Sequence, residues 1–561
     1  MTDHEKCTTI STMGFEAKAL SRFLRAVWMS AAGAALLSAC VSAQTSNRPA
    51  DRPANDVASL QEPAEGFGYR EAHDTLRSGL KSITQRYIEP VRMDKVALDG
   101  MRGLATIDPA FKIQFEDGII RLHLNDVNIA DFPRPLSNKA GDWANLTTEI
   151  IRAGRTHSPD LKDADNERVY EAVFDGMLSG LDIFSRYSGA EEARANRARR
   201  DGFGGIGIRF TKANKGIKIT HIQLDSPADI VGLKSSDVIL KVNERPLAKM
   251  SLRQVAKLLR GPVGAPITLK VARLDTNILY PNRQIRFRLN RAHIVPQTVR
   301  AKAIDGILQL RVTGFNKKTS SSVHDILRNN EAAFDSGRLI GVVIDLRGNP
   351  GGLLSQSVNV ADLFLDQGQI ISTRGRHPDS FHDYRAGGFD ITKGKPLVIL
   401  VDGDSASAAE IVASALQDLG RAVVVGSSSY GKGTVQTVIR LPNDGEMTLT
   451  WSRLVSPSGY ALHGLGVMPA VCATNVPGNL SDDILAPDHI DGQRAAMTAW
   501  RAAGMIFDGR RSRLRQDCPA KVFSPVKTDD FLMHLATHVI NNPVIYRRAI
   551  VPFEALNTAS R

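Results

Sequence analysis

Apolar positions recur along this chain in different rhythms, and each change of rhythm marks a change of architecture. From Gly68 to about Arg200 the spacing is helical: Leu76, Leu80 and Ile83 lie on one face of a helix predicted from Tyr69 to Tyr87. Two further helical segments, Val96 to Leu104 and Val173 to Leu181, share an Asp-Gly-Met run and a following Gly-Leu. They read as a weak duplication or as two similar amphipathic helices. Between them, Phe111 to Ile129 alternates like a β-hairpin with Asp117-Gly118 at its turn.

Near residue 200 the period shortens to two. A glycine-rich turn, Gly202 to Ile208, enters a strand, and Gly216 to Leu224 follows as a second. Ser226-Pro227 starts a short helix ending at Gly232. Asp237 to Val242 and Ile267 to Val271 are strands flanking a helix from Ser251 to Leu259. Beyond Val299 the units become strand–turn–helix. Leu339 to Leu346 and Lys395 to Val401 are continuous apolar runs, which predicts strands buried on both faces of a parallel sheet. Met447 to Val455 reads as another strand, and Gln493 to Met505 and Asp529 to Ile540 as helices. The expected fold is therefore multi-domain α/β (α+β in its broad class). It has a helical region at 67–200, a small β-rich domain at 201–290, an α/β core at 291–475 and an extension at 476–561 without assigned chemistry.

A length of 561 residues suits three or four domains of roughly 150 residues. The net charge of +12 favours anionic surfaces such as membranes or cell-wall polymers, and no dense Lys/Arg run argues for nucleic acid. The first forty residues read as an address: Arg22 and Arg25, then an apolar stretch from Ala26 to Leu37 that is too short to span a bilayer comfortably. Its end, Leu37-Ser38-Ala39-Cys40, resembles a bacterial lipoprotein signal, with Cys40 lipidated; a plain secretory signal is the alternative, and translation from Met13 would leave either intact. Residues 41–66, with Pro49, Pro53 and Pro63, read as a flexible tether. Cys7 would leave with the signal. Cys472 and Cys518 then remain as an even pair suited to a disulfide in an oxidising compartment. No Cys/His cluster has metal-ligand spacing, so neither metal nor cofactor is expected.

The candidate chemistry concentrates in Val401 to Gln436. Ser405 and Ser407 precede an Ala-rich helix, where the positive end of a helix dipole would stabilise an oxyanion. Ser407-Ala-Ala-Glu410 is equally a capping box, and the residues alone do not rank the two serines. Lys432 sits between glycines after a β-branched run, a setting in which burial could hold the amine neutral as a base. Gly426 to Lys432 nearly spells a phosphate-binding loop, but Gly433 stands where the magnesium-holding hydroxyl is needed. Asp345 to Gly352, a glycine-rich turn after a buried strand, could present backbone N–H groups to an oxyanion.

Two resemblances extend this reading. Gly205-Ile206-Gly207-Ile208, Ser-Pro-Ala, Gly-Leu and Asp237-Val-Ile-Leu-Lys-Val-Asn243 together resemble a PDZ domain. That resemblance implies a loop receiving a peptide's terminal carboxylate while the peptide adds a strand to the sheet edge. Arg260 is a candidate for sensing such a peptide, or an ordinary surface arginine. The lipobox, this domain, Asp345-Leu-Arg-Gly-Asn-Pro-Gly-Gly352, Ser405-Ala-Ser-Ala-Ala-Glu-Ile411 and Tyr430-Gly-Lys-Gly-Thr-Val-Gln436 resemble the C-terminal processing (tail-specific) peptidases of type S41. The resemblance covers roughly 67–475. It implies Ser407 as nucleophile, Lys432 as base, Gln436 orienting the amine, and Ala408 with the Gly351/Gly352 turn as the oxyanion hole. The spacing of the family's Ser–Lys pair selects Ser407 over Ser405. Asp418 also matches a family position. At about 16 Å along a helix from Ser407 it is expected to pair with Arg421 or support the helix end, and His463 is the weaker alternative base. Departures are Ala409 for a third serine and Ile183-Phe184 in a segment that usually reads Pro-His. The implied protein is a periplasm-facing lipoprotein, sorted to the outer membrane by Val41 after Cys40. It would be an endopeptidase acting on protein C-terminal tails, with a homo-oligomer or a lipoprotein adaptor as further partners. The competing class is a non-catalytic PDZ scaffold with a protease-like shell.

Overall fold

The computed structural model describes residues 67–273, 283–474, 481–523, 530–550 and 552. The expected leader, Cys40 and the tether lie outside the described residues.

The helical region is as patterned. Tyr69–Arg86, Met93–Arg102, Ala140–His157 and Asn166–Leu178 surround a core that includes Leu76, Leu80, Ile83, Trp143 and Phe174. The hairpin gains a third strand, so that Phe111–Glu116, Ile119–Leu124 and Val127–Pro133 form an antiparallel meander. The two Asp-Gly-Met helices pack against each other at their glycines. A Cβ on Gly103 would lie 2.0 Å from the Ala172 oxygen, and one on Gly176 2.4 Å from the Asp99 oxygen. Their similarity thus serves a close backbone approach.

The small domain is a sheet in the order Arg283–Asn290, Pro266–Arg273, Val238–Val242, Gly216–Ile222, Ile208–Ala213, with the helix Leu252–Leu259. A capping box at Ser251 and Gln254 starts that helix. Where the chain enters and leaves this domain, Phe203–Gly205 pairs with Ala292–Ile294.

The core sheet runs in chain order: Val299–Ile304, Ile307–Val312, Gly341–Asp345, Leu397–Val401, Val423–Gly426, Val471–Cys472. The first pair is antiparallel and the rest are parallel. Alternate residues face opposite layers. Val342, Ile344, Ile399, Val401 and Val424 pack on the crossover helices through Val323, Val358, Ile411 and Val412. Val343, Val398, Leu400, Val423 and Val425 pack on the C-terminal extension through Ile490, Met497, Leu532 and Val539. The extension is therefore the sheet's second layer, and it explains why these strands are apolar on both faces. It is tied down by the Cys472–Cys518 disulfide. Arg347 adds a further tie: it is almost wholly buried and its guanidinium bonds both Asp345 and Asp530.

A second sheet is built around the strand expected at Met447 to Val455, whose partners the sequence did not reveal. It is antiparallel, in the order His382–Arg385, Gln369–Gly375, Glu446–Val455, Thr434–Arg440. Arg186–Ser188, at the end of the helical region, joins its long strand at Glu446 to Thr448. The chain just before this junction carries the Phe184 ring over the lysine.

Candidate active site

The carboxyl ends of four parallel strands converge, as substrate sites in open α/β sheets do. Two turns are cross-linked there. Asp402, after the strand Leu397–Val401, accepts from Gly348 N–H at 2.8 Å and Asp404 N–H at 3.1 Å. Ala406 N–H donates to the Asn349 oxygen at 2.9 Å. Ser405 is completely buried in this brace. Its hydroxyl accepts from Asp402 N–H at 2.9 Å and lies 2.9 Å from the Leu346 oxygen and 3.0 Å from the Asp402 carboxylate.

Ser407 is placed differently. Its backbone has φ 55° and ψ −111°, a sparsely populated conformation costing about 1–3 kcal/mol, immediately before the helix Ala408–Asp418. The sharp turn sets Ser407 on a cleft of about 330 Å³ that Lys432, Gln436, Ala408 and Gly352 also line. Ala408 is the first helical residue, so its N–H has no acceptor within the helix. The glycine turn packs against this elbow: a Cβ on Gly351 would sit 2.8 Å from Ser407 Cβ. One on Gly352 would sit 2.1 Å from the Phe315 oxygen, and both glycines have positive φ (99° and 146°). The turn's two expected donors are not equivalent. Gly351 N–H is given to Asn349 Oδ1 at 2.9 Å, which removes it from the expected pair of donors.

Lys432 is half-buried, and burial holds its pKa below the ordinary lysine value. Arg186 pushes the same way, against Glu410 and Asp182. Its Nζ lies 4.9 Å from the centre of the Phe184 ring. Phe184 is fixed by Asp182, which accepts from Phe184 N–H at 2.8 Å, Ser185 Oγ at 2.8 Å and Thr450 Oγ1 at 3.0 Å. Gln436 shares the cleft, but its Nε2 donates to Thr434 Oγ1 at 2.8 Å and Thr450 Oγ1 at 3.4 Å. The amide oxygen is the group left to accept from an amine.

Glu410 does more than cap a helix. It is fully buried, and it accepts from Ser407 N–H at 2.7 Å, Ser429 Oγ at 2.5 Å and Gly431 N–H at 2.6 Å. One carboxylate thus fixes the serine elbow to the lysine loop, and burial raises its pKa. The Ser-x-x-Glu spacing had flagged this residue, though only as a cap. The buried serines 427 and 429 of the near phosphate loop are engaged within the protein: Ser427 Oγ bonds the Lys521 oxygen, and Ser429 bonds Glu410.

Two other residues are relocated. Asp418 pairs with Arg501 at 2.8 Å and accepts from Ser458 Oγ at 2.6 Å, whereas Arg421 pairs with Asp390 at 2.9 Å. The expected Asp418–Arg421 pair is replaced because the extension delivers a better-placed guanidinium. His463 does not line the cleft; its ring packs 6.1 Å from that of Phe184.

Some distance along the chain, Gly205, Ile206, Gly207 and Ile208 line a separate groove of about 220 Å³ with Leu259, Ile294 and Arg260. Gly207 has φ 81°. Arg260 lies at the lip with its guanidinium 4.3 Å over the Phe203 ring. Among the described residues no group of three or more His, Cys, Asp or Glu is placed to hold a metal ion.

A strained serine, a partly buried lysine and a glycine turn at the carboxyl ends of parallel strands, beside a peptide-groove domain, define a hydrolase of the PDZ-bearing class. Residues 306–472 match peptidase family S41, and residues 195–272 match the PDZ domain. A "Carboxy-terminal-processing protease" of Bartonella bacilliformis is 37% identical over 308 residues, covering 55% of this chain and 70% of the relative. A "Probable CtpA-like serine protease" of Staphylococcus aureus is 30% identical over 334 residues, covering 59% of this chain and 65% of that protein. Among solved structures, the photosystem II D1 C-terminal processing protease aligns with a TM-score of 0.34 and 23% identity, over 67% of this chain and 92% of its own. The chain belongs to peptidase family S41 and is a serine protease with a PDZ domain.

Proposed function

We propose that this chain is a lipid-anchored, periplasm-facing endopeptidase that takes substrate proteins by their C-terminal tails and cleaves them by a Ser–Lys mechanism. The observation that carries the reading is the single cleft lined by Ser407, Lys432, Gln436, Ala408 and Gly352. A tail docks along the strand Ile208–Ala213, the sheet's terminal strand, with its carboxylate at the Gly205–Ile208 loop. A nearby segment enters the cleft. Neutral Lys432 takes the proton of Ser407 Oγ as the oxygen attacks the scissile carbonyl carbon. The N–H groups of Ala408 and Gly352 receive the oxyanion. The lysine ammonium returns the proton to the departing amine, leaving an ester on Ser407. Lys432, neutral again, deprotonates a water that hydrolyses the ester. The name of the Bartonella relative, a carboxy-terminal-processing protease, supports the choice of C-terminal tails as substrates. The anchor rests on Cys40 and its preceding apolar run.

The test uses chain purified without residues 1–40 and an unfolded protein ending in apolar residues. Wild type should cleave it, and Ser407→Ala and Lys432→Ala should each abolish cleavage. Wild-type activity indistinguishable from both variants would sink the enzymatic reading. Retained capture of the substrate by all three proteins would then mark a binding scaffold. Metabolic labelling with a fatty-acid analogue, lost in Cys40→Ala, tests the anchor.

A further inference from the structure

The proposed chemistry uses only part of the cleft. Its remaining walls divide sharply in character. Leu353, Leu354, Ile411, Val438 and Leu454 supply apolar surface. The lining from the helical region is cationic: Arg186, Arg199 and Arg200 contribute to it, and among the described residues no Asp or Glu lines the cleft. These arginines sit on regular elements rather than free loops. Arg186 is held by strand pairing opposite Thr448, and Arg199 and Arg200 belong to the helix Ala190–Asp201.

Not all of that charge is spent on folding. Arg200 pairs with Glu446 at 3.0 Å, which also takes Arg197 at 2.9 Å. Arg199 makes its one side-chain bond among the described residues to a neutral acceptor, Asn196 Oδ1, at 3.3 Å. Arg186 has no ion-pair or side-chain hydrogen-bond partner among the described residues. Both are exposed at the mouth of a half-enclosed site, where low-dielectric walls strengthen a field and salt weakens it. A guanidinium without a structural partner at a substrate cleft is positioned to meet a carboxylate.

Resting on the proposed protease reading, we propose that Arg199 and Arg186 are specificity-determining residues that favour substrate segments in which an apolar residue is flanked by Asp or Glu, and that reject Lys- or Arg-flanked segments. The apolar wall receives the side chain beside the scissile bond. The arginine lip attracts a neighbouring carboxylate and repels a neighbouring cation, so discrimination uses attraction and repulsion together. The two arginines differ in one respect. Arg186 also acts on Lys432, alongside Glu410 and Asp182, so its removal moves the pH profile as well. Arg199 provides the cleaner variant.

The experiment compares three fluorogenic peptides with one apolar sequence, flanked by Glu, Gln or Lys. With wild type, kcat/KM should rank Glu over Gln over Lys across about tenfold at low salt, shrinking to about threefold near 0.5 M salt. Arg199→Gln should narrow the ranking, Arg186→Gln/Arg199→Gln should flatten it, and Arg199→Glu should invert it. Fluorescence polarisation with Ser407→Ala reads the same order as affinities without turnover. Equal rates for the three peptides in wild type, or an unchanged ranking in the double variant, would overturn the proposal. If wild type cleaves none of them while Ser407→Ala still binds in that order, the charge preference stands and the protease reading fails.

Discussion

The molecule carries two glycine-lined grooves, and they are built on opposite plans. In the PDZ groove the glycine loop borders an apolar wall of Ile208, Leu259 and Ile294, with one guanidinium stacked at its lip. In the cleft, buried side chains brace the turns: Asp402 reaches across to Gly348, Asn349 holds Gly351 within its own turn, and Glu410 on the helix holds Ser407 and Gly431. The difference follows from the tasks. Binding an extended tail needs an exposed strand edge and tolerates adjustment, whereas acyl transfer needs donors and nucleophile fixed to within about half an ångström. The cleft accordingly holds the strained residue, Ser407, and the surrounding brace offsets that strain.

The strongest way to sharpen this contrast is to disable one groove and read the other. Ser407→Ala should lower kcat by about 10⁴-fold or more while leaving the affinity of an apolar C-terminal peptide for the PDZ groove unchanged. Calorimetric titration of the variant checks the second half. A variant that lost tail binding as well would show the grooves to be one coupled unit. Next in size is Asp418→Ala. It removes a buried carboxylate from its ion pair with Arg501 and its bond from Ser458, and should cost about 3–5 kcal/mol of stability, read by denaturant unfolding. Folded Asp418→Ala should keep near-normal kcat, because Asp418 braces the far end of the helix and lies outside the cleft. The mirror experiment is Gly207→Ala. The new Cβ would fall 2.2 Å from Ser226 Cβ, so the carboxylate loop must shift. Tail affinity should drop about 10- to 100-fold, with short tail-less peptides still cleaved at the wild-type rate. Loss of that cleavage would break the separation of the grooves.

These elements were not equally legible in the sequence. Strands such as Gly341–Asp345 and Leu397–Val401 announced themselves as unbroken apolar runs, because both faces are covered. The same fact required a second layer, yet the extension that supplies it carries no motif and read as a tail. The strand Thr434–Arg440 was missed because it is half-exposed and mixes polar with β-branched residues, although its partner Glu446–Val455 follows directly as a hairpin. Ser405 and Ser407 were indistinguishable by local pattern. What separates them is three-dimensional: one hydroxyl lies inside a hydrogen-bonded brace and the other sits at a positive-φ elbow. Asp418 and Arg501 are 83 positions apart, so no local spacing pointed to their pairing. Glu410 was visible by spacing alone, and only its burial against Ser429 and Gly431 reveals the second half of its work.

The smallest predicted effect concerns Phe184, which ties the helical region to the cleft's chemistry. A lysine base works only when neutral, so kcat/KM should rise with pH through the Lys432 pKa and level off above it. Burial keeps that pKa below the ordinary lysine value, aided by Arg186 and opposed by Glu410 and Asp182. The Phe184 ring acts on it in two opposing ways. Its π face attracts an ammonium, which favours the charged form by about 0.5–2 kcal/mol. Its bulk excludes water from the amine, which favours the neutral form. Desolvation is the largest influence on Lys432, so exclusion of water should win. Phe184→Ala is then expected to admit water, raise the pKa and move the acid limb of the profile to higher pH by about one unit. Activity on the acid limb would fall about tenfold and recover above the shifted pKa, since one unit of pKa is a factor of ten in the neutral fraction. Phe184→Leu, which keeps the bulk without the π face, should stay close to wild type or shift slightly to lower pH. An acid limb that moves to lower pH in Phe184→Ala would reverse the assignment and make the ring a cation-holding face instead of a water shield.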